Sequence, residues 1–333
     1  MLKILVTGAN GFLGSHIVEA LIEASHHVVC CVRKTSNLKW IKKMPVKYMY
    51  GDLNDISFLK TIIDKMDVVI HCAGIVRAVD KYDYFKTNVE ITKKLCKVVL
   101  DVNPNLKKIV FISSQAAMGP AKSINDVKNT NKENHPISDY GLSKLVAEME
   151  IKRIFYEKVP YTILRPAAIY GPRDKDMLVL FKLIHRHLRP TIMTKRLLQL
   201  VYVRDVANTV VLCLNSKKTD NKIYYIANSD IYTWSDLFKS ISDYICVKTI
   251  PIPIPDFIFK LVGMGSDFLS CVTNKAILLN SQKINEILQN CWIADTELTK
   301  IDLDIKFTSL EVASKITYNW CLNTDFGERL NEY

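Results

Sequence analysis

The stretch Lys3-Ile4-Leu5-Val6-Thr7-Gly8-Ala9-Asn10-Gly11-Phe12-Leu13-Gly14 reads as a short apolar strand, a glycine-rich turn and the opening of a helix. Its glycines stand at 8, 11 and 14. Gly8 permits a tight turn, Gly11 lets the backbone approach a diphosphate, and Gly14 permits close helix–strand packing. A helix begins where the turn ends, so its free N–H groups and its dipole favour an anion there. Asn10, Phe12 and Leu13 lie in the same loop and count with the glycines as candidate binding positions.

Outward from this turn, short apolar runs alternate with helix-period segments. The runs 3–7, 27–32, 46–50, 67–72, 108–113 and 161–165 are rich in Val and Ile and apolar on both faces, as strands buried in a parallel sheet are. Segments 14–24, 56–65, 85–100 and 139–157 are amphipathic; in the first, Ile17, Val18, Leu21 and Ile22 form one stripe. This alternation predicts an α/β fold, a doubly wound parallel sheet of Rossmann type. Residues 1–171 are expected to form the dinucleotide-binding domain, with contributions from about 196–230. Residues 172–333 are expected to be mostly a smaller C-terminal α/β substrate lobe. There, 201–203 and 222–226 read as strands and 233–245 as a helix. The alternating Ile and Pro of 250–255 read as extended chain.

The chain has 333 residues, 49% hydrophobic and 24% charged, which excludes disorder as its main state. Its net charge is +11, but the lysines are spread along the chain and no nucleic-acid motif accompanies them. No nucleic-acid partner is expected. The densest basic stretch, 182–196, suits an anionic substrate, an anionic lipid surface or a solvated helix face. Nine cysteines without a CxxC pair predict free thiols in a reducing compartment. With no cleavable leader and no apolar run of spanning length, a cytoplasmic location is expected, with membrane association open.

The chemistry is carried by Tyr140-Gly141-Leu142-Ser143-Lys144. Tyr140 and Lys144 are four apart, on one helix face. An ammonium there lowers the phenol pKa, so Tyr140 can pass a proton to or from an oxygen, and Lys144 can hold ribose hydroxyls. Ser113-Ser114-Gln115-Ala116-Ala117-Met118-Gly119 closes the fifth strand, at the sheet edge where ligands bind. At the end of the second strand, Arg33 and Lys34 stand where an acid would select NAD. Arg33 suits a 2′-phosphate, so NADP(H) is preferred; in the alternative these are loop charges, and Ser36 and Asn37 bind the ribose of NAD(H).

With these motifs in order, the sequence resembles the extended short-chain dehydrogenase/reductase superfamily. The match also takes in Gly51-Asp52-Leu53, His71-Cys72-Ala73-Gly74, Thr87-Asn88-Val89 and Leu164-Arg165-Pro166-Ala167-Ala168-Ile169-Tyr170-Gly171-Pro172. The resemblance implies that Asp52, with Leu53, contacts the adenine and that the Ala73–Gly74 backbone passes under the adenosine ribose. Pro166 to Ile169 would line the nicotinamide. Alignment on Gly119 makes Ser114, not Ser113, the partner of Tyr140 and Lys144 in a catalytic triad.

Gln115-Ala116 replaces the acidic pair of the dehydratases, and Ala168 replaces an Asn common in sugar-nucleotide epimerases. The remaining resemblance is to the dihydroflavonol-reductase-like and 3β-hydroxysteroid-dehydrogenase-like branch. It implies hydride transfer between NADP(H) and a ketone or secondary alcohol of an apolar or cyclic small molecule. A nucleotide-sugar epimerase with tightly bound NAD and a non-catalytic dinucleotide sensor are the competing readings. The superfamily makes a homodimer an expectation as well. Asp205 is expected to cap its helix, His71 to be packed and hydrogen-bonded, and no metal is expected. The apolar segment 257–279 is expected to cover the substrate pocket, or alternatively to touch a membrane peripherally.

Overall fold

The computed structural model describes residues 1–324 apart from 128, 193 and 278. Seven parallel strands form the central sheet. In spatial order they are Lys222–Ile226, Tyr161–Pro166, Lys108–Ile112, Val68–His71, Lys3–Thr7, His27–Val32 and Lys47–Tyr50. The chain runs outward from Lys3–Thr7 to Lys47–Tyr50, then returns to Val68–His71 on the other side. The switch point lies between strands 3–7 and 68–71, and such a crevice binds ligands at its carboxyl end.

Helices cover both faces, as the doubly apolar strands require. Phe12–Glu23 and Val203–Asn215 pack on one side. Ile56–Ile63, Ile91–Val102 and Asp139–Phe155 pack on the other. The expected helix over 85–100 is interrupted. Phe85–Glu90 is a turn of π-helix, and the α-helix begins at Ile91.

Beyond residue 171 the sheets are small. Ala168–Tyr170 pairs with Leu200–Tyr202, and Leu197–Leu198 pairs with Tyr232–Thr233 and Cys291–Trp292. Ile250–Ile254 pairs in parallel with Leu188–Ile192. A two-stranded ribbon is all edge, so it tolerates Pro190, Pro251 and Pro253 where a central strand would not. The basic stretch 182–196 is not one solvated helix face: it forms a helix end and this ribbon, and Arg196 is buried. His185 and His187 take separate partners, the Tyr318 hydroxyl and the Lys248 carbonyl.

Two expectations change here. Asp205 is not a helix cap, because the helix starts two residues earlier at Val203. Its buried carboxylate accepts from the Thr308 N–H and hydroxyl, both at 2.7 Å, and so fastens a distant loop. Segment 257–279 does not fold inward over a pocket. Helix Asp256–Thr273 buries only Gly263 and Ser270 and turns its large side chains outward. All nine cysteines are free thiols. Among the described residues no helix is long and apolar enough to cross a membrane.

Candidate active site

The glycine turn is shaped by close approach. Gly8 has φ +70°, and a Cβ on it would stand 2.7 Å from the Ala73 nitrogen. A Cβ on Gly14 would stand 2.0 Å from the Gly8 carbonyl oxygen, so the helix can settle on the turn only without one. Gly11 differs: its Cβ would meet only that same oxygen, at 3.3 Å, and otherwise open space. Gly11 is the N-cap of helix Phe12–Glu23. No side chain caps that end, and no acid stands in the first turn. The uncapped N–H groups and the open side at Gly11 fit the diphosphate of a dinucleotide.

The neighbouring loops meet this turn. The Asn10 side-chain amide donates to the Asn37 carbonyl at 3.4 Å, drawing in the 33–37 loop that carries Arg33. Arg33 is exposed, and its backbone N–H donates to Ser36 Oγ. Asp52 is exposed after the third strand and accepts from the Asn54 N–H at 2.8 Å. It lies close enough to Cys31 to help raise that thiol, which burial has already pushed up to about 12. Leu53 is half-buried, packed against the core beneath the turn. The Ala73 N–H donates to Thr7 Oγ1. Phe12 sits edge-on to His16, Leu13 is buried, Pro166 ends its strand buried, and Ile169 is half-buried beside Val201.

The reacting residues converge at the carboxyl end of strand Lys108–Ile112. Ser138 caps helix Asp139–Phe155 by accepting from the Gly141 N–H, which sets Tyr140 in the first turn and Lys144 one turn on. Ser114 has extended backbone and caps the short turn 115–117. Its hydroxyl lies near enough to the Tyr140 phenol to act on that group's pKa. Ser113 points elsewhere. Its hydroxyl donates to Glu148, whose carboxylate is held bidentately by Arg165, with Nε–Oε1 at 2.9 Å and Nη2–Oε2 at 2.6 Å. Arg165 Nη1 donates on to Asn134 and the Tyr225 hydroxyl, so this buried ion pair is fully partnered. One serine of the pair is spent on structure, and the other meets the tyrosine.

Lys144 is buried. Its Nζ donates to the Ile112 carbonyl at 2.7 Å and lies 4.8 Å from the Phe111 ring centroid. Burial lowers its pKa to about 8, against the pull of Cys72 and Glu148. A Cβ on Gly74 would stand 3.4 Å from that Nζ, so the loop after the fourth strand runs directly beside it. Burial pushes the Tyr140 phenol above its ordinary range, and the nearby Ser114 hydroxyl only partly opposes this. The net shift is upward, so burial outweighs whatever lowering the Lys144 ammonium supplies. Residues four apart share a face, but here Nζ turns to a backbone carbonyl rather than to the phenol.

Three further neighbours complete the site, and two of them, Tyr84 and Glu286, had no signal in the motifs. Asn88, inside the π-turn, bridges Ile75 and Ser143 by hydrogen bonds of 2.9–3.0 Å and so locks the catalytic helix to the loop after the fourth strand. The Thr87-Asn88-Val89 match had already marked this position, and an Asn inside a helical pattern, a poor helix former, was a second hint. The Tyr84 ring lies 6.1 Å from the Tyr140 ring. Glu286 arrives from far along the chain and accepts from Ser138 Oγ at 2.5 Å. His71 is buried between Thr7 and Thr92, 2.8 and 2.9 Å away, and burial lowers it to about 3, so it is a neutral packing residue as expected.

Residues 4–227 match the family model described as the NAD dependent epimerase/dehydratase family. The UDP-glucose 4-epimerase of Vibrio cholerae is 25% identical over 78% of this chain and 81% of its own length. The 3 beta-hydroxysteroid dehydrogenase/Delta 5-->4-isomerase of Vaccinia virus (strain Copenhagen) is 25% identical over 95% of this chain and 97% of its own. Among solved structures, the UDP-glucose 4-epimerase of Thermotoga maritima with UDP-glucose superposes with TM-score 0.78 at 22% identity. That match covers 97% of this chain and 99% of the other, a likeness of fold.

Proposed function

The chain belongs to the NAD-dependent epimerase/dehydratase family as an NAD(P)-dependent oxidoreductase of the extended short-chain type. From that premise we propose that it interconverts a ketone and a secondary alcohol on an apolar or cyclic small molecule, with NADP(H) as the preferred cofactor. The observation that carries this reading is the meeting of Ser114, Tyr140 and Lys144 at the strand end beside the glycine turn.

Gly8, Gly11, Gly14, Asn10, Phe12 and Leu13 would hold the dinucleotide's diphosphate. Asp52 and Leu53 would meet the adenine, Ala73 and Gly74 the adenosine ribose, and Pro166 and Ile169 the nicotinamide. Bound there, the cofactor supplies or takes up the hydride. Ser114 orients the substrate oxygen by a hydrogen bond. Tyr140, kept protonated by burial, gives its proton to the oxygen of a ketone as the carbon gains hydride; in the reverse direction the Tyr140 phenolate takes the alcohol's proton as the carbon loses hydride. Lys144, one helical turn away, supplies positive charge beside the tyrosine and a donor for ribose hydroxyls.

The substrate class rests on what the site lacks and on likeness. Gln115-Ala116 offers no acid for dehydration, and Ala168 offers no amide to a sugar nucleotide. The Vaccinia virus relative is named for a hydroxysteroid, a fused-ring secondary alcohol. The second reading, a nucleotide-sugar epimerase with tightly bound NAD, is favoured by the names of the bacterial relative and of the similar structure.

Cofactor affinity separates the two. Native mass spectrometry of fresh protein, then titration with NADPH, NADP, NADH and NAD, should reveal selectivity for the phosphorylated pair. Arg33→Ala should remove about tenfold or more of that selectivity, the scale of one charge-assisted phosphate contact. Co-purified NAD that resists removal would overturn the NADP reading and lead to a panel of nucleotide sugars.

A further inference from the structure

Helix Asp256–Thr273 reverses the usual arrangement of an amphipathic helix. Its buried residues are Gly263 and Ser270, two turns apart. The seam between them packs on helix Ser281–Ile287, where a Cβ on Gly263 would stand 3.1 Å from Ser281 Cα. Phe257, Leu261, Met264, Phe268 and Val272 are between 60% and 72% exposed. At 100° per residue they fill, with exposed Ile258, Val262 and Leu269, an apolar arc of about 160° that contains no charge. The preceding ribbon extends this surface with exposed Ile250 and Ile252. An apolar patch of this kind on a monomer marks an interaction surface.

The charge around the arc identifies the partner. Lys195, Lys260 and Lys275 are exposed beside the helix, and Arg186 and Lys248 are exposed at the start of the adjoining ribbon. The two carboxylates of the helix both accept hydrogen bonds from the rest of the chain. Asp256 is held by Arg196, with Nη1 at 3.0 Å and Nη2 at 2.5 Å, and Asp267 accepts from the Ser281 N–H at 3.1 Å. Hydrocarbon on the outer face, with a rim of cations and both helix carboxylates outside the apolar arc, suits the headgroup region of an anionic bilayer. The helix is too short and too sparsely apolar to span one.

We propose that the outer face of helix Asp256–Thr273 is a monotopic docking surface for membranes containing anionic phospholipid. Its inner face carries helix Ser281–Ile287, whose Glu286 reaches Ser138 beside Tyr140. Docking thus sets the candidate active site one hairpin away from the lipid. The consequence that an apolar substrate is taken from the bilayer rests on the function proposed above; the docking itself does not.

The test is sedimentation of the full chain with phosphatidylcholine vesicles and with vesicles of phosphatidylcholine and phosphatidylserine. Binding should be at least about tenfold stronger to the anionic vesicles and should weaken with added salt. Leu261→Ser with Phe268→Ser should lower it by about tenfold or more. Lys195→Gln, Lys260→Gln and Lys275→Gln together should remove the preference for phosphatidylserine. Thermal melting and dinucleotide affinity should be unchanged in both variants, since neither touches the core or the glycine turn. Protein that stays in the supernatant with both vesicle types would overturn the proposal. So would a stable dimer in sedimentation velocity that Phe268→Ser converts to monomer, because a second copy would then be the partner. Vesicle binding with no reductase activity would leave docking standing and count against the proposed function alone.

Discussion

Helices Asp139–Phe155 and Asp256–Thr273 are of similar length, yet they break opposite rules. The first buries charge: Lys144 and Glu148 are both inside. The second exposes hydrocarbon and buries a glycine and a serine. In the first, every inversion is matched by a partner, Lys144 by the Ile112 carbonyl and Glu148 by Arg165 and Ser113. In the second, the outer face has no partner among the described residues of this chain. A buried charge that is satisfied within the molecule points to chemistry or architecture there. A hydrophobic face left unsatisfied points to something outside.

The sharpest way to break this comparison is to remove the first helix's reacting group. Tyr140→Phe should cut turnover by about a thousandfold or more while dinucleotide affinity stays within about twofold, since only the proton donor is lost. Steady-state kinetics beside cofactor titration checks this; retained turnover would remove Tyr140 from the reaction. Next in size, Glu148→Ala strands the buried Arg165 and Ser113 and should cost about 3–5 kcal/mol, read from urea unfolding. An unchanged midpoint would mean that the buried pair is not what holds Ser113 away from the cleft.

A smaller effect is expected in the pH dependence. The folded Lys144 has its pKa near 8, below its ordinary 10.5, because burial disfavours the ammonium. Between those values the unfolded chain holds the extra proton. Wild-type stability relative to Lys144→Met should therefore rise as pH climbs from about 8 to 10.5. Ketone reduction should hold level below about pH 8 and fall above it as the charge beside Tyr140 is lost. A profile flat to pH 10 would contradict this. Smallest of all, Phe268→Ser on the outer face should change stability by less than about 0.5 kcal/mol. A large loss would mean that the face packs against something in the native assembly.

The two helices also differ in how much the sequence revealed. Strand–turn–helix at 3–23 and the Tyr140–Lys144 spacing are local patterns, so the fold and the candidate triad were legible. Alignment on Gly119 favoured Ser114 over Ser113, and the geometry agrees with that choice as far as Ser113 is concerned: its hydroxyl is taken by the Glu148–Arg165 pair. What depends on distant contacts was not legible. Spacing put Lys144 and Tyr140 on one face but could not say that Nζ would turn to Ile112. Nothing near Tyr140 in sequence announced Tyr84 or Glu286. Asp205 was misread as a cap because a start signal looks alike at a helix boundary and two residues inside it. The outer helix was misread because periodicity separates two faces without saying which is inward. Gly263 and Ser270, seven apart and so on one face of the helix, were the overlooked sign of the packed seam.

The central claim is that this site moves hydride between a nicotinamide and a carbonyl carbon, with Tyr140 supplying the proton. The most direct measurement is transfer of label from NADPH deuterated at nicotinamide C4 to a panel of cyclic and steroid-like ketones, read by mass spectrometry of the products. The account predicts an alcohol one mass unit heavier than its unlabelled counterpart, formed by wild type and not by Tyr140→Phe. Label that never leaves the cofactor for any ketone, together with isomerised sugar nucleotides formed on a resident NAD, would contradict it.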